Sequence, residues 1–417
     1  MQRVARSANP LPNGTATVFV GLLAAGLLTY VYLGIARRSL DETAYSAFAV
    51  VWGVTFIIGP GLFQPLEQAT GHSTAKRHAG GQGSKPLASR AALLGLASLA
   101  FASLASLAAW PFGLDELLSD DPALLAALIC CFGGFMAVSV VRGVLGGHKS
   151  FPVYSRTLGT EGATRLVGGL VLAFAAATGA SSFGFVMALS FLAAAAVGVL
   201  GGRHLLEPGP PARWEDLSPA VGLLLIMSLS EAFLLNIGPA AVAAISDDDT
   251  AAGTFLSALV IARLPLFAFQ AVKVSLLPAV TTFAALGEMA KVRTTLIRLL
   301  KFTGALGGTA VIGSAVAGPF FVELFFVDVV SRLDVTLLAA ANAVAMLVIA
   351  LSVTLIGVNR PKQAAACWTL GVVSFVAFLS TSCNTVLFVE IAMLASFSIV
   401  LVGMTVSLLP VWVAKDA

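Results

Sequence analysis

Apolar runs of about 20 residues follow one another along the whole chain, the length that a hydrocarbon core ~30 Å thick requires of a helix rising ~1.5 Å per residue. No other feature constrains the fold as much. The composition agrees: 58% of the 417 residues are hydrophobic and 11% are charged, and the mean hydropathy is +0.95. A soluble domain carries about 25% charged residues. The chain is therefore read as an all-α polytopic membrane protein. The runs place twelve transmembrane helices at 15–36, 44–66, 90–112, 122–141, 157–178, 182–202, 219–245, 251–279, 301–323, 334–357, 363–382 and 386–410. Connections are short, and no stretch is left for a soluble domain. Pro60, Gly61, Pro65, Pro239, Pro265 and Pro278 fall inside helices, where neighbouring helices re-satisfy the freed backbone groups, and are candidate kinks.

Loop charges set the expected orientation, because Lys and Arg are retained on the cytoplasmic side. One set of helix ends holds Arg3, Arg6, Lys76, Arg77, Lys85, Arg90, Arg142, Lys149, Arg156, Arg203, Arg213, Lys291, Arg293, Arg298, Lys301, Arg360, Lys362 and Lys415. The other holds Arg37, Arg38 and Arg332 among many acids, including Asp41, Asp120, Asp121, Asp247 to Asp249, Asp328 and Asp334. This asymmetry predicts an even number of crossings with both termini cytoplasmic. On this reading Arg142, Lys149 and Arg156 belong to a cytoplasmic loop between helices 4 and 5. Glu161 and Arg165, four apart, form a local ion pair on one face of helix 5.

The chain divides as a duplicated six-helix unit. Residues 204–218 are rich in Pro, Gly and charge and are the expected linker between an N-terminal lobe, 1–203, and a C-terminal lobe, 219–417. Helix 2 opens with "TAYSAF" (43–48) and continues to Pro60, Phe63 and Gln64. Helix 8 opens with "TAAGTF" (250–255) and continues to Pro265, Phe269 and Gln270. Two halves that both start cytoplasmic are parallel repeats about an axis along the membrane normal, and transporters commonly place their substrate site between such halves.

These features, together with "LDETAYSAF" entering helix 2 and Arg142, Gly143, Leu145, Gly146, Tyr154, Glu161 and Arg165 after helix 4, resemble the polysaccharide transporters of the multidrug/oligosaccharidyl-lipid/polysaccharide (MOP) flippase superfamily. The resemblance covers nearly the whole chain. It implies a multi-pass protein of the bacterial inner membrane that moves undecaprenyl-diphosphate-linked oligosaccharide between leaflets by alternating access. Its partners would be the lipid-linked sugar, membrane lipids, and a proton or sodium ion as the coupling ion.

Such a substrate needs a wet, preferably cationic cavity, and ionisable residues at membrane depth are functional candidates by default. Those available are Glu231 in helix 7, Arg263 and Lys273 in helix 8, and Glu390 in helix 12. Arg263 falls near the bilayer midplane. Gln270 follows seven residues later and Lys273 one turn beyond that, so the three would form a polar stripe on an unbroken helix 8. Two alternatives stay open: Arg263 neutralising Glu231 on the neighbouring antiparallel helix, and Lys273 snorkelling to the interface. Glu390, close to the outer end of helix 12, reads as a solvated helix end. Tyr30 and Tyr32 read as interfacial aromatics.

Other classes fit less well. A helix 7 acid, Glu231, matches the cation-coupled multidrug exporters of the same superfamily, which are the alternative reading, but helices 1 and 10 lack a mid-membrane carboxylate. The fourteen-helix lipid II flippases carry basic residues in their first two helices, which this chain does not. A glycan ligase or polymerase needs a sizeable outer loop for its acid/base groups, and the longest outer connection here is about ten residues. The sequence contains no nucleotide-binding loop, metal-ligand cluster or nucleophile constellation, so neither an enzyme nor a cofactor is expected, and nothing suggests a nucleic-acid partner. Cys130, Cys131, Cys367 and Cys383 fall in helices as small packing residues, and His72, His78, His148 and His204 fall on cytoplasmic loops.

Overall fold

A computed structural model describes residues 15–176, 179–217, 221–267, 269, 280–284, 286–381 and 385–413. Every regular element among these residues is helical. In the first half they are α1 (Thr15–Ser39), α2 (Glu42–Ile58), a π-helical turn (Gly59–Phe63), α3 (Gln64–Ala79), α4 (Lys85–Ala109), the short α5 (Leu114–Leu117), α6 (Pro122–Gly147), α7 (Phe151–Phe174) and α8 (Ala180–Gly202). In the second they are α9 (Val221–Asn236), α10 (Gly238–Ile245), α11 (Ala251–Ala262), α12 (Met289–Phe326), α13 (Arg332–Gly357), α14 (Pro361–Leu379) and α15 (Val386–Val413).

Nine helical segments among the described residues are long and apolar enough to cross a membrane, and α9 with α10, bent by 57°, makes a tenth. The expected fifth and eighth crossings are occupied by α7, whose Arg156, Glu161 and Arg165 lower its hydropathy, and by α11, which runs only 12 residues. The acids gathered at one end of the bundle start helices there. Asp41 accepts from the Ala44 N–H at 2.8 Å to cap α2, Asp121 accepts from the Ala123 N–H at 2.8 Å to cap α6, and Ser331 with Asp334 forms a capping box on α13. A carboxylate at a helix N-terminus satisfies an orphan donor and complements the dipole. Before α11, the Thr250 hydroxyl and N–H both donate to Asp248 and hold its carboxyl below the usual carboxylate range.

Two lobes result. In the first, α1 packs on α7, α6 on α8 and α3, and α7 on α8; in the second, α12 packs on α13, α13 on α15, and α14 on α15 and α9. α2 crosses between them and meets α9, α10 and α11. The seam is tight. A Cβ on Gly53 would lie 2.8 Å from the Asn236 carbonyl oxygen, and one on Gly253 would lie 2.8 Å from Tyr45 Cδ1. The similar segments that open helices 2 and 8 thus lie against each other, and the Gly253 N–H donates to Ser46 Oγ at 3.3 Å.

The connection between the lobes is strapped to the turn between α3 and α4. The Arg77 guanidinium donates to the carbonyls of Gly83 (3.1 Å) and Pro210 (2.5 Å), the Ser84 hydroxyl donates to the Leu205 carbonyl at 2.7 Å, and Arg90 stacks over Trp214.

Helix ends at α3, α6, α7 and α12 extend past the sequence reading for one reason: hydropathy trims helices at their charged ends. α6 continues to Gly147 and α7 starts at Phe151, so Arg142 is a buried helical residue and not part of a loop. α12 starts at Met289, twelve residues before the expected position, and is 38 residues long. Its first turns bury Val292, Leu296 and Leu299 while Lys291, Arg293, Arg298 and Lys301 stay exposed. α11 stops at Ala262 with a turn at Arg263, in place of the unbroken helix expected to 279.

Candidate functional site

Two proline-linked breaks shape the middle of the seam. Pro239 has no N–H and its ring crowds the preceding turn, so α9 ends at Asn236 and the chain bends by 57° into α10. Pro265 follows the end of α11, where the Arg263 N–H is shared between the carbonyls of Leu259 (3.1 Å) and Val260 (3.3 Å). The breaks bring two polar side chains together. The Arg263 guanidinium donates from Nη1 to Asn236 Oδ1 at 2.9 Å. Asn236 Nδ2 in turn donates to the carbonyls of Ala232 (2.9 Å) and, across the seam, Phe56 (3.1 Å).

The other guanidinium nitrogens, Nε and Nη2, are buried without a hydrogen-bond partner, as is the Tyr30 hydroxyl of α1. Tyr30 packs edge-on against Phe267 at 5.3 Å. Buried polar groups are almost always satisfied, so unused donors on a buried cation are uncommon. A guanidinium presents its donors as a planar fork that suits a carboxylate or phosphate. Glu231 is half-buried on α9, and no ion pair joins it to Arg263. Gln270 and Lys273 lie outside the described residues.

The first lobe contains a charge network that the sequence reading divided between a loop and a local pair. The expected Glu161–Arg165 pair forms at 2.8 Å, and Arg142 of α6 joins it, reaching Glu161 at 2.7 Å and the Thr157 hydroxyl at 3.0 Å. Arg165 also donates to Ser190 (3.1 Å) and Thr29 (3.0 Å), with its guanidinium 4.7 Å from the centre of the Phe191 ring. Nearby, the Tyr154 hydroxyl donates to Glu67 at 2.7 Å. Two arginines and two glutamates balance, and hydroxyls from α1, α7 and α8 supply further bonds. The network therefore holds α1, α6, α7 and α8 together and leaves little capacity for a ligand. One signal was available in the sequence: no charge and no further proline separates Arg142 from the apolar run starting at Pro122.

At the acidic end the seam is shut. Arg37 of α1 reaches Asp328, just past α12, at 2.7 Å, and reaches Glu42 at 3.3 Å. Asp328, 4% exposed, also accepts from the Ser257 hydroxyl of α11 at 2.5 Å, while Arg37 stacks over Tyr45 and Arg38 donates to the Leu324 carbonyl. These contacts join α1 and α2 of one lobe to α11 and the end of α12 of the other.

Two further readings are corrected. Glu390 is not a solvated helix end: it is fully buried, because α15 turns that face into its own lobe. Tyr32 is not interfacial. It is fully buried with its hydroxyl donating to the Phe183 carbonyl, and Tyr30 lies in the seam and not at a membrane surface. Cys131 and Cys367 are buried packing residues, whereas Cys130 is exposed and Cys383 lies outside the described residues.

No family model matches the sequence, and no curated protein matches it. Solved structures do match. An inward-facing multidrug resistance MATE family transporter of the MOP superfamily overlays with a TM-score of 0.71 at 13% identity, over 96% of this chain and 99% of that one. The chain has the fold of these MATE transporters. An outward-facing MATE transporter overlays with a TM-score of 0.66 at 12% identity, over 97% of this chain and 96% of the other. A MOP superfamily transporter from Pyrococcus furiosus, described as having a binding pocket of reverse polarity that suggests a different function, overlays at 0.62 with 13% identity, over 94% and 95% of the two chains. The two-lobed, all-helical architecture expected from the sequence is thus the one observed. At these identities the likeness concerns the fold.

Proposed function

We propose that the protein is an alternating-access transporter of the MOP type that carries an anionic lipid-linked substrate, an undecaprenyl-diphosphate-linked oligosaccharide, across a bacterial inner membrane. The observation that carries this reading is the buried Arg263 guanidinium in the seam, with Nε and Nη2 unused and no carboxylate paired to it. At ~4 Å and an effective dielectric of about 20, a unit charge contributes ~4 kcal/mol, favouring a diphosphate and opposing a cationic drug by similar amounts. Glu231, Gln270 and Lys273 are proposed beside Arg263 as substrate contacts on the sequence argument alone, as polar groups expected at membrane depth. Cytoplasmic termini follow from the loop charges, and the lobes divide within 204–218.

The cation-coupled multidrug exporter is the second reading, favoured by the MATE structures that the chain overlays. Flipping of a lipid-linked sugar in proteoliposomes separates the two. Arg263→Ala should abolish movement at normal incorporation, and Arg263→Lys, which keeps charge without the fork, should retain part of it. If Arg263 serves only to offset Glu231, the Arg263→Ala/Glu231→Ala double variant recovers activity that Arg263→Ala alone lacks, and the substrate role is lost.

A further inference from the structure

Glu390, the fifth residue of α15, is 0% exposed, and both of its carboxyl oxygens are buried without a hydrogen-bond partner. Among the described residues the elements packed on α15 are α9, α10, α13 and α14. α10 has no ionisable residue, and α14 carries Lys362 in its first turn, at the far end from Glu390. α9 carries Glu231, an acid. α13 carries Arg332 and Asp334 at the same end as Glu390, and Asp334 is engaged in its capping box with Ser331. No ion pair to Glu390 forms. An ionised carboxylate here would have no donor and no cation, and Asp334 at the same end of α13 would add like charge. The packing accommodates the neutral acid. A metal cation needs a shell of several oxygens, and the Glu390 oxygens have no polar partner with which to begin one.

Glu390 is also beside the part of the fold that must move. Met393 follows it by three residues on the same face of α15, and its sulfur closes with the Phe255 ring of α11 over Gly238, leaving no room for a Cβ there. Gly238 is the first residue after the α9–α10 break, and α10 leads through Asp248 into the α11 segment that shuts the seam. Ionising Glu390 requires water or donors to enter between α15, α13 and α10, which loosens the packing that holds the break. We propose that Glu390 is a proton-binding site that couples protonation of the second lobe to the state of the acidic-end seam. The proton is held while the seam is shut and is exchanged with water at that end when it opens.

This rests on the transporter reading but needs neither substrate nor Arg263, so the two fail separately. Spin labels at Glu116→Cys on α5, which packs on α10 of the other lobe, and at Asp249→Cys just after α10 report the opening of the seam by pulsed EPR in lipid nanodiscs, and infrared spectroscopy reports the carboxylic acid C=O band. Raising the pH from acid to alkaline should lengthen the label distance in the parent protein and remove a protonated-carboxyl band. Glu390→Gln should lose that band and hold the short distance at every pH. Glu390→Asp should keep a carboxyl band and a pH response with a moved midpoint, and it decides the matter if the Gln variant does not fold. Sodium in place of potassium should change neither readout. A pH response identical in parent and Gln variant, an Asp variant with an unmoved midpoint, or a response that requires sodium would overturn the assignment.

Discussion

Asp328→Asn tests whether the acidic-end contacts hold the two lobes shut. Asp328 receives Arg37 at 2.7 Å and the Ser257 hydroxyl at 2.5 Å, and its side chain is 3% exposed beside an Arg37 side chain at 12%. Breaking a buried pair by removing one partner costs ~3–5 kcal/mol. Two features reduce that here. The amide still accepts one hydrogen bond, and Arg37 keeps Glu42 at 3.3 Å, a pair whose carboxylate is 66% exposed; such an exposed pair is worth ~0–1 kcal/mol. A net loss of ~2–3 kcal/mol remains, which at ~1.4 kcal/mol per decade moves the shut-to-open ratio by roughly 30- to 150-fold toward open. The Glu116/Asp249 label pair measures that ratio directly. Arg37→Gln should give a similar shift, and the double variant should add little, because both single changes remove one interaction. A shift below roughly threefold, or additive effects of the two single changes, would refute the latch.

Two further outcomes follow from the packing. Glu161→Gln leaves Arg142 and Arg165 buried together without their shared carboxylate, so it should destabilise the first lobe by roughly 3–5 kcal/mol, seen as a clear fall in the thermal unfolding midpoint in detergent; an unchanged midpoint would mean the network carries no stability. Gly253→Ala places a methyl 2.8 Å from Tyr45 Cδ1 and 3.2 Å from the Ser46 nitrogen, an overpacking of ~1–3 kcal/mol that should favour the open seam in the same EPR assay; a distance distribution like that of the parent protein would show that α2 and α11 adjust without moving apart.

Much of the architecture was legible because the bilayer leaves few solutions: apolar length gives the crossings, and Pro60, Pro239 and Pro265 mark real irregularities, at the π-helical turn, the α9–α10 bend and the end of α11. Arg263 stood out in the sequence for the same reason, as a charge expected at membrane depth. What the pattern does not carry is pairing between distant helices. Arg142 and Glu161 come from different helices and meet only in the packed lobe, and the Arg37–Asp328 contact spans nearly the whole chain. The closure of Asn236 over Arg263 depends on the proline bend, which sets the direction of α10 by tertiary contacts rather than by local sequence. Glu390 was misread because distance from a helix end says nothing about which face the lobe buries.

The most direct test of the central claim, that Arg263 receives an anion in the seam, is equilibrium binding to the purified protein of undecaprenyl diphosphate and of a cationic dye, each followed by native mass spectrometry for the parent, Arg263→Ala and Arg263→Glu. Hydrogen bonds to a charged group contribute ~1.5–3 kcal/mol, so the Ala variant should bind the diphosphate lipid at least about tenfold more weakly, and the Glu variant more weakly still, while gaining affinity for the dye. Equal diphosphate binding by all three proteins, with dye bound by the parent, would contradict the anion site and favour the drug-exporter reading.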